Sequence, residues 1–265
     1  MEWQTRHVSG EPLDLHDGFE PTNEGEGMWL TDLYTRKAVE RIQNHNSSVP
    51  LFLYLAFQAP HEKIQRPPDK YLSQYSGVKR VYQEGLPSRY KGLYRAAAVT
   101  AMDTGIGKVV DALKAAGLYE NSVIVFTTDN GGSGVPNLDV TPVNFPLRGS
   151  KESLYEGGVR GVGWVHSPLL CQMRGRTSKK MMFITDWFTT LLSLAKLETL
   201  APPGLDSFNM WSSISKNSKS PRREIIFNLD QDNFWGTWSA AIRSARFKLI
   251  WGQHLLLKQR VSKVK

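Results

Sequence analysis

The chain has 265 residues, 40% of them hydrophobic and 22% charged, which is enough apolar side chain to build a packed core and excludes an intrinsically disordered segment. Its 33 Lys and Arg against 25 Asp and Glu leave a net charge of +8, a balance that favours acidic partners such as nucleic acid, anionic lipid or sulfated polysaccharide without choosing among them. The single cysteine, Cys171, excludes an intrachain disulfide, no apolar run is long enough to cross a bilayer, and the stretch from Met1 to Arg6 lacks the apolar core of a secretory signal.

Residues 1–27 are polar and rich in Gly and Glu, and read as loop. The spacing of Leu33, Ala38, Val39 and Ile42 predicts a helix from Leu30 to Asn44. Asn46-Ser47-Ser48 is a glycan acceptor if the protein enters the secretory pathway. The run from Leu51 to Phe57 is apolar on both faces, the pattern of a central strand in a covered sheet, and Pro60-His61-Glu62 follows in its carboxyl-end loop. After a polar insert rich in Tyr, Gln and Pro, a long helix is predicted from about Tyr90 to Gly117. Val99, Met102, Ile106, Val109 and Leu113 form its apolar face and Gly117 its C-cap.

The β-branched run from Ser122 to Thr128 reads as a buried parallel strand, which makes a strand, crossover helix, strand unit of a doubly wound α/β fold. Such sheets place ligand sites beyond the carboxyl ends of their strands, and here that position holds Asp129-Asn130-Gly131-Gly132. A carboxylate and an amide carbonyl are hard oxygen donors, and the glycines let the backbone fold closely behind them; the same tetrapeptide is also an ordinary turn signal. His61 is expected on the same sheet edge. Further on, Gly157 to Val165 reads as a third strand, and Thr185 to Leu197 as a helix with Thr185 as N-cap and Trp187, Leu191, Leu194 and Ala195 inward. Past Pro202-Pro203-Gly204, the runs Glu224–Asn228, Trp238–Ile242 and Phe247–Trp251 suit a small antiparallel appendage, and the basic tail 258–265 is expected to be solvated. No His neighbours Cys171, which fits a structural thiol.

Three ordered stretches, Leu51 to Glu62, Thr127 to Gly132 and Pro146 to Arg160, resemble the type I sulfatases. Within them the chain is similar to the arylsulfatase B branch, whose typical substrates carry 4-sulfated N-acetylgalactosamine. The resemblance runs from about residue 14 to 253. It implies an alkaline-phosphatase-like α/β fold, a doubly wound and mostly parallel sheet that is incomplete here, with a partial catalytic domain over 1–200 and a small C-terminal subdomain over 201–265. It further implies that Asp129 and Asn130 are ligands of Ca2+, that His61 contacts the sulfate or the leaving-group oxygen, and that Lys151 holds a sulfate oxygen. A sulfated glycan or glycosaminoglycan, not nucleic acid, is the partner implied, and the lysosome or the exterior the compartment.

The residue types suit that chemistry: cleaving a sulfate ester places negative charge on the sulfate oxygens and the departing oxygen, where a divalent cation, an ammonium and an imidazole would meet it. The family's formylglycine nucleophile, made from the cysteine of a C-x-P-S-R type motif, has no counterpart in these residues, nor do its amino-terminal acidic metal ligands and its G-K-W-H type motif. Gly85-Leu86-Pro87-Ser88-Arg89 has glycine at the nucleophile's place and lies in the wrong order along the chain. The sequence therefore reads as the carboxyl-terminal portion of a sulfatase, inactive as it stands. A non-catalytic sulfated-glycan-binding protein and a phosphatase or phosphodiesterase of the same superfamily are the alternatives.

Overall fold

The computed structural model describes residues 15–61, 66–77, 88–133, 144–229 and 239–252. Glu62, Trp238 and the basic tail lie outside the described residues. The chain forms two compact units, Met1–Ser122 and Val123–Lys265.

The first unit opens with a two-residue hairpin, β1 (His16–Asp17) and β2 (Glu20–Pro21), followed by α1 (Leu30–Gln43), α2 (Asp69–Leu72) and α3 (Ser88–Ala115). The helix expected over 30–44 is α1, and it buries Leu30, Leu33, Ala38 and Ile42. Each of its larger apolar side chains contributes roughly 1.5–3 kcal/mol by leaving water. Its other side carries ion pairs, Arg36 with Glu24 and Glu40, and Lys37 with Asp17 and Glu24. The long helix expected from Tyr90 is α3, and Gly117 closes it as foreseen, with φ +70 and the Leu118 N–H donating to the Leu113 carbonyl at 2.9 Å.

The buried face of α3 differs from the expected one. Ala97, Ala98 and Ala101 are buried, Leu113 is buried as expected, and Val99 is 40% exposed. Close approach of α1 is seen at Gly105, where an added Cβ would overlap the Thr35 hydroxyl. Tyr71 joins Ala97 and Ala101 in a cluster flanked by Trp29, Leu72 and Tyr75, and its hydroxyl donates to Asp32 at 2.6 Å.

The expected central strand over Leu51–Phe57 forms no ladder among the described residues. Phe52 is 75% and Tyr54 83% exposed, while the Phe57 ring lies against Gly105 of α3. An apolar run needs hydrogen-bonding neighbours on its flanks to become an inner strand, and none of the described segments supplies them.

The second unit contains β3 (Ile124–Thr127), α4 (Glu156–Val159), β4 (Gly163–His166), α5 (Asp186–Leu194), α6 (Trp211–Lys216), β5 (Glu224–Phe227), β6 (Ser239–Ser244) and β7 (Phe247–Gly252). The strand expected over 122–128 is β3, but its partner β4 runs antiparallel, with Phe126 opposite Trp164 and their rings stacked at 5.3 Å. Every ladder among the described residues is antiparallel. The third strand expected over 157–165 is confined to β4, because Gly157 and Gly158 belong to the helical turn α4. The small antiparallel appendage is present, in the order β5-β6-β7.

Thr185 is the N-cap of α5 as expected, though in helical backbone and without a side-chain capping bond. The buried face departs from the expected one: Ala195 is exposed while Asp186 and Thr190 are buried. Asp186 is the organiser: it accepts the Phe183 N–H at 2.8 Å, the Phe208 N–H at 2.9 Å, Arg222 Nε at 2.8 Å and Arg222 Nη2 at 2.7 Å. The two side chains are 0% and 3% exposed, and the guanidinium also lies over the Phe208 ring at 4.8 Å. The hydrogen bond to Asp186, outweighing the effect of burial, holds Arg222 above the ordinary arginine range.

Candidate active site

The Asp129-to-Gly132 turn leaves the carboxyl end of β3 and interlocks with the loop from Asn144 to Gly158. Gly131 N–H donates to the Gly158 carbonyl and Lys151 N–H to the Gly132 carbonyl, both at 2.9 Å. Asn144 clamps the two segments: its Oδ1 accepts the Gly132 N–H at 2.9 Å, and its Nδ2 donates to the carbonyls of Gly132 at 3.0 Å and Gly149 at 3.1 Å. The contact is backbone on backbone at Gly131, where a Cβ would overlap the Gly157 carbonyl, whereas at Gly132 it would meet Asn144 Oδ1 at 3.1 Å. Gly131→Ala is therefore expected to cost about 1–3 kcal/mol, as overpacking does, and Gly132→Ala less. Urea unfolding midpoints of the two variants, compared on one slope, check the order.

Three of the sequence-predicted site residues are brought together by this interlock. Asp129 is exposed, and its Oδ1 accepts the Asn130 N–H at 2.8 Å. Asn130 is half-buried, and its Nδ2 donates to the Gly131 carbonyl at 2.8 Å, which turns its Oδ1 away from that carbonyl. Lys151 is half-buried on the facing loop. His61 belongs to the first unit, exposed, in a turn where its N–H donates to the Gln58 carbonyl at 2.9 Å. The expected shared sheet edge for His61 and Asp129 rested on two parallel strands, and that pairing does not form among the described residues. Asn46 is exposed, its Oδ1 accepting the Ser48 N–H at 3.0 Å within the sequon.

The donor set suits a hard cation. Asp129 and Asn130 offer carboxylate and amide oxygens side by side, two of the roughly six to eight oxygens that calcium takes. Among the described residues no group of three or more His, Cys, Asp or Glu is placed to hold a metal, so the pair fits in chemical type and supplies part of a shell.

Sequence reasoning did not find Asn144, nor the charged cluster behind the lysine loop. Glu156 pairs with Arg243 Nη1 and, at 3.1 Å, with Lys248 Nζ. Burial alone would raise the Glu156 carboxyl, but the hydrogen bonds from Lys248 and Arg243 win and leave it below the usual carboxylate range. Burial pulls the Lys248 ammonium below the usual lysine range, and the Glu156 carboxylate only partly restores it. The Glu-Gly-Gly-Val stretch displays glycines in sequence, but nothing in it points to cations more than eighty residues away.

Comparison with known proteins places the chain. The sulfatase family profile matches residues 7–197. Arylsulfatase J of Mus musculus is 37% identical over 229 residues, covering 83% of this chain and 36% of that protein. N-acetylgalactosamine-6-sulfatase of Mus musculus is 30% identical over 197 residues, covering 73% of this chain and 34% of that protein. The crystal structure of Ps i-CgsB in complex with k-i-k-neocarrahexaose matches with 30% identity and a TM-score of 0.67, covering 84% of this chain and 46% of that one. The chain thus spans about a third of the length of these curated relatives, and its fold is a part of the alkaline-phosphatase-like α/β fold. The chain belongs to the type I sulfatase family, whose members generally work with a metal ion.

Proposed function

We propose that this chain serves a calcium-dependent hydrolase of sulfate esters on sulfated glycans, in the arylsulfatase B branch. The observation that carries the reading is the interlock, in which the Lys151 N–H on the Gly132 carbonyl sets a cationic loop against the Asp129-Asn130 turn. In this reading Asp129 and Asn130 hold the metal, which when bound polarises sulfate oxygens as a Lewis acid. The Lys151 ammonium holds a sulfate oxygen, and His61 touches the sulfate or donates a proton toward the leaving-group oxygen. Residues 1–200 form the partial catalytic domain and 201–265 a small C-terminal subdomain. Among the described residues no helix is long and apolar enough to cross a membrane. An exposed Asn46 suits a glycan in a lysosomal or secreted protein.

The nucleophile is expected from a C-x-[PA]-x-R motif outside these 265 residues. The chain as it stands is therefore expected to leave p-nitrocatechol sulfate unhydrolysed, since its sequence holds no motif that would supply the formylglycine nucleophile. The same chain joined to an upstream segment bearing that motif is expected to turn the substrate over. Assayed free of host sulfatase, turnover by the 265 residues alone would contradict this division of labour. The joined protein is expected to prefer 4-sulfated over 6-sulfated N-acetylgalactosamine ends. A preference for a phosphate monoester would favour the phosphatase alternative, and tight glycan binding without turnover the non-catalytic one.

A further inference from the structure

The loop that carries Lys151 is closed on itself. Gly157 N–H donates to the Arg148 carbonyl at 2.7 Å, Ser153 N–H to the Ser150 carbonyl at 3.0 Å and Gly158 N–H to the Tyr155 carbonyl at 2.9 Å. The Ser153 hydroxyl donates to the Ser150 carbonyl at 2.7 Å as well, and Ser150 is buried. Lys151 and Glu156 are thus parts of one tied segment.

Glu156 reaches out of that segment to the three-stranded sheet. Its two partners, Arg243 on β6 and Lys248 on β7, stand directly opposite each other in the antiparallel register. Like charges in that relation repel and weaken a ladder, unless an anion lies between them. Glu156 is that anion, paired with both. Lys248 in turn lies over the Phe227 ring of β5 at 4.3 Å, so all three strands share the joint.

We propose that Glu156 is a positioning residue: by gripping the facing Arg243 and Lys248 it fastens the lysine loop to the β5-β6-β7 sheet, and so sets where Lys151 stands relative to Asp129 and Asn130. Its meaning for catalysis rests on the sulfatase reading; the mechanical part does not. The sheet acts as the back support of the loop, and the C-terminal strands become part of the site although they carry none of its reacting groups.

Amide exchange in the 265-residue chain tests the joint without any catalysis. In Glu156→Gln the amides of Gly131, Lys151 and Gly157 are expected to exchange at least about tenfold faster, as loss of charge-assisted bonds from a locally opening segment implies, while the Thr190 amide of α5 holds its rate. The charge exchange Glu156→Lys with Lys248→Glu is expected to recover the slow rates. In the joined enzyme Glu156→Gln should lower kcat with KM nearly unchanged, and the exchanged pair should regain it. Unchanged exchange at Lys151, or equal acceleration at Thr190 in Glu156→Gln, Lys248→Gln and the exchanged pair alike, would overturn the proposal. An inactive wild-type joined enzyme would sink the sulfatase reading and leave the exchange result standing.

Discussion

Replacing Lys151 by alanine in the joined enzyme is expected to lower kcat at least about a hundredfold, and His61→Ala by a similar factor, because removing one preorganised donor from developing oxyanion charge costs that much. The two substitutions should differ in their company. Lys151 sits on the loop hydrogen-bonded to Gly132, so its alanine variant should keep the interlock, whose bonds are made by backbone and the Asn144 amide rather than by the lysine side chain. Circular dichroism and calcium affinity should therefore stay near those of the parent while turnover falls. Lys151→Arg is expected to recover only part of the loss, since a planar guanidinium does not reproduce a compact ammonium at one sulfate oxygen. The net charge of +8 should speed encounter with a polyanionic glycan, so kcat/KM should fall as salt rises, for the parent and both variants alike. Rates within a few fold of the parent after either substitution would remove that residue from the mechanism.

How much of this was legible in the sequence depends on how local each signal is. The helix α1, the Gly117 cap of α3 and the short antiparallel strands β5 to β7 follow from periodicity and turn residues within a few positions, and the sequence foretells them. The run Leu51–Phe57 is as apolar as an inner strand should be, yet pairing is a property of neighbours, and no described segment flanks it. The same limit governs the direction of β3: β-branched residues announce a strand, whereas β4 decides that the ladder is antiparallel. On α3 the pattern points to the larger side chains, but partners distant in sequence meet the small ones: Tyr71 packs on Ala97 and Ala101, and Thr35 lies against Gly105. At the candidate site, the Asp129-Asn130 turn is legible from the glycines that follow it, whereas Lys151 is singled out only by the family resemblance of residues 146–160. Asn144 and the Glu156 cluster are not legible, because their partners arrive from distant sequence.

The ion pair of Asp186 and Arg222 is expected to be the most costly feature to break. Arg222→Leu leaves a carboxylate that is 0% exposed with the Phe183 and Phe208 N–H groups as its remaining donors. Asp186→Leu strands a guanidinium that is 3% exposed, although Asp206 stays within reach at 2.9 Å. Removing one member of such a pair typically costs about 3–5 kcal/mol, a large part of a typical net stability of about 5–15 kcal/mol. Removing both should cost less than the sum of the singles, since no unpaired buried charge is then left; a double-mutant cycle in urea measures that coupling. The exposed pair of Arg36 and Glu40 is the control, and breaking it should cost about 0.3–0.5 kcal/mol. The asymmetry between the two single variants is also expected: Arg222→Leu should be the worse, because it leaves a fully buried carboxylate with no cation, whereas after Asp186→Leu the guanidinium retains Asp206, a difference that outweighs the acceptor lost to the Phe183 and Phe208 N–H groups. Additive singles, or a loss below about 1 kcal/mol for Arg222→Leu, would show that the buried pair does not organise α5 and the Phe208 segment as its geometry indicates.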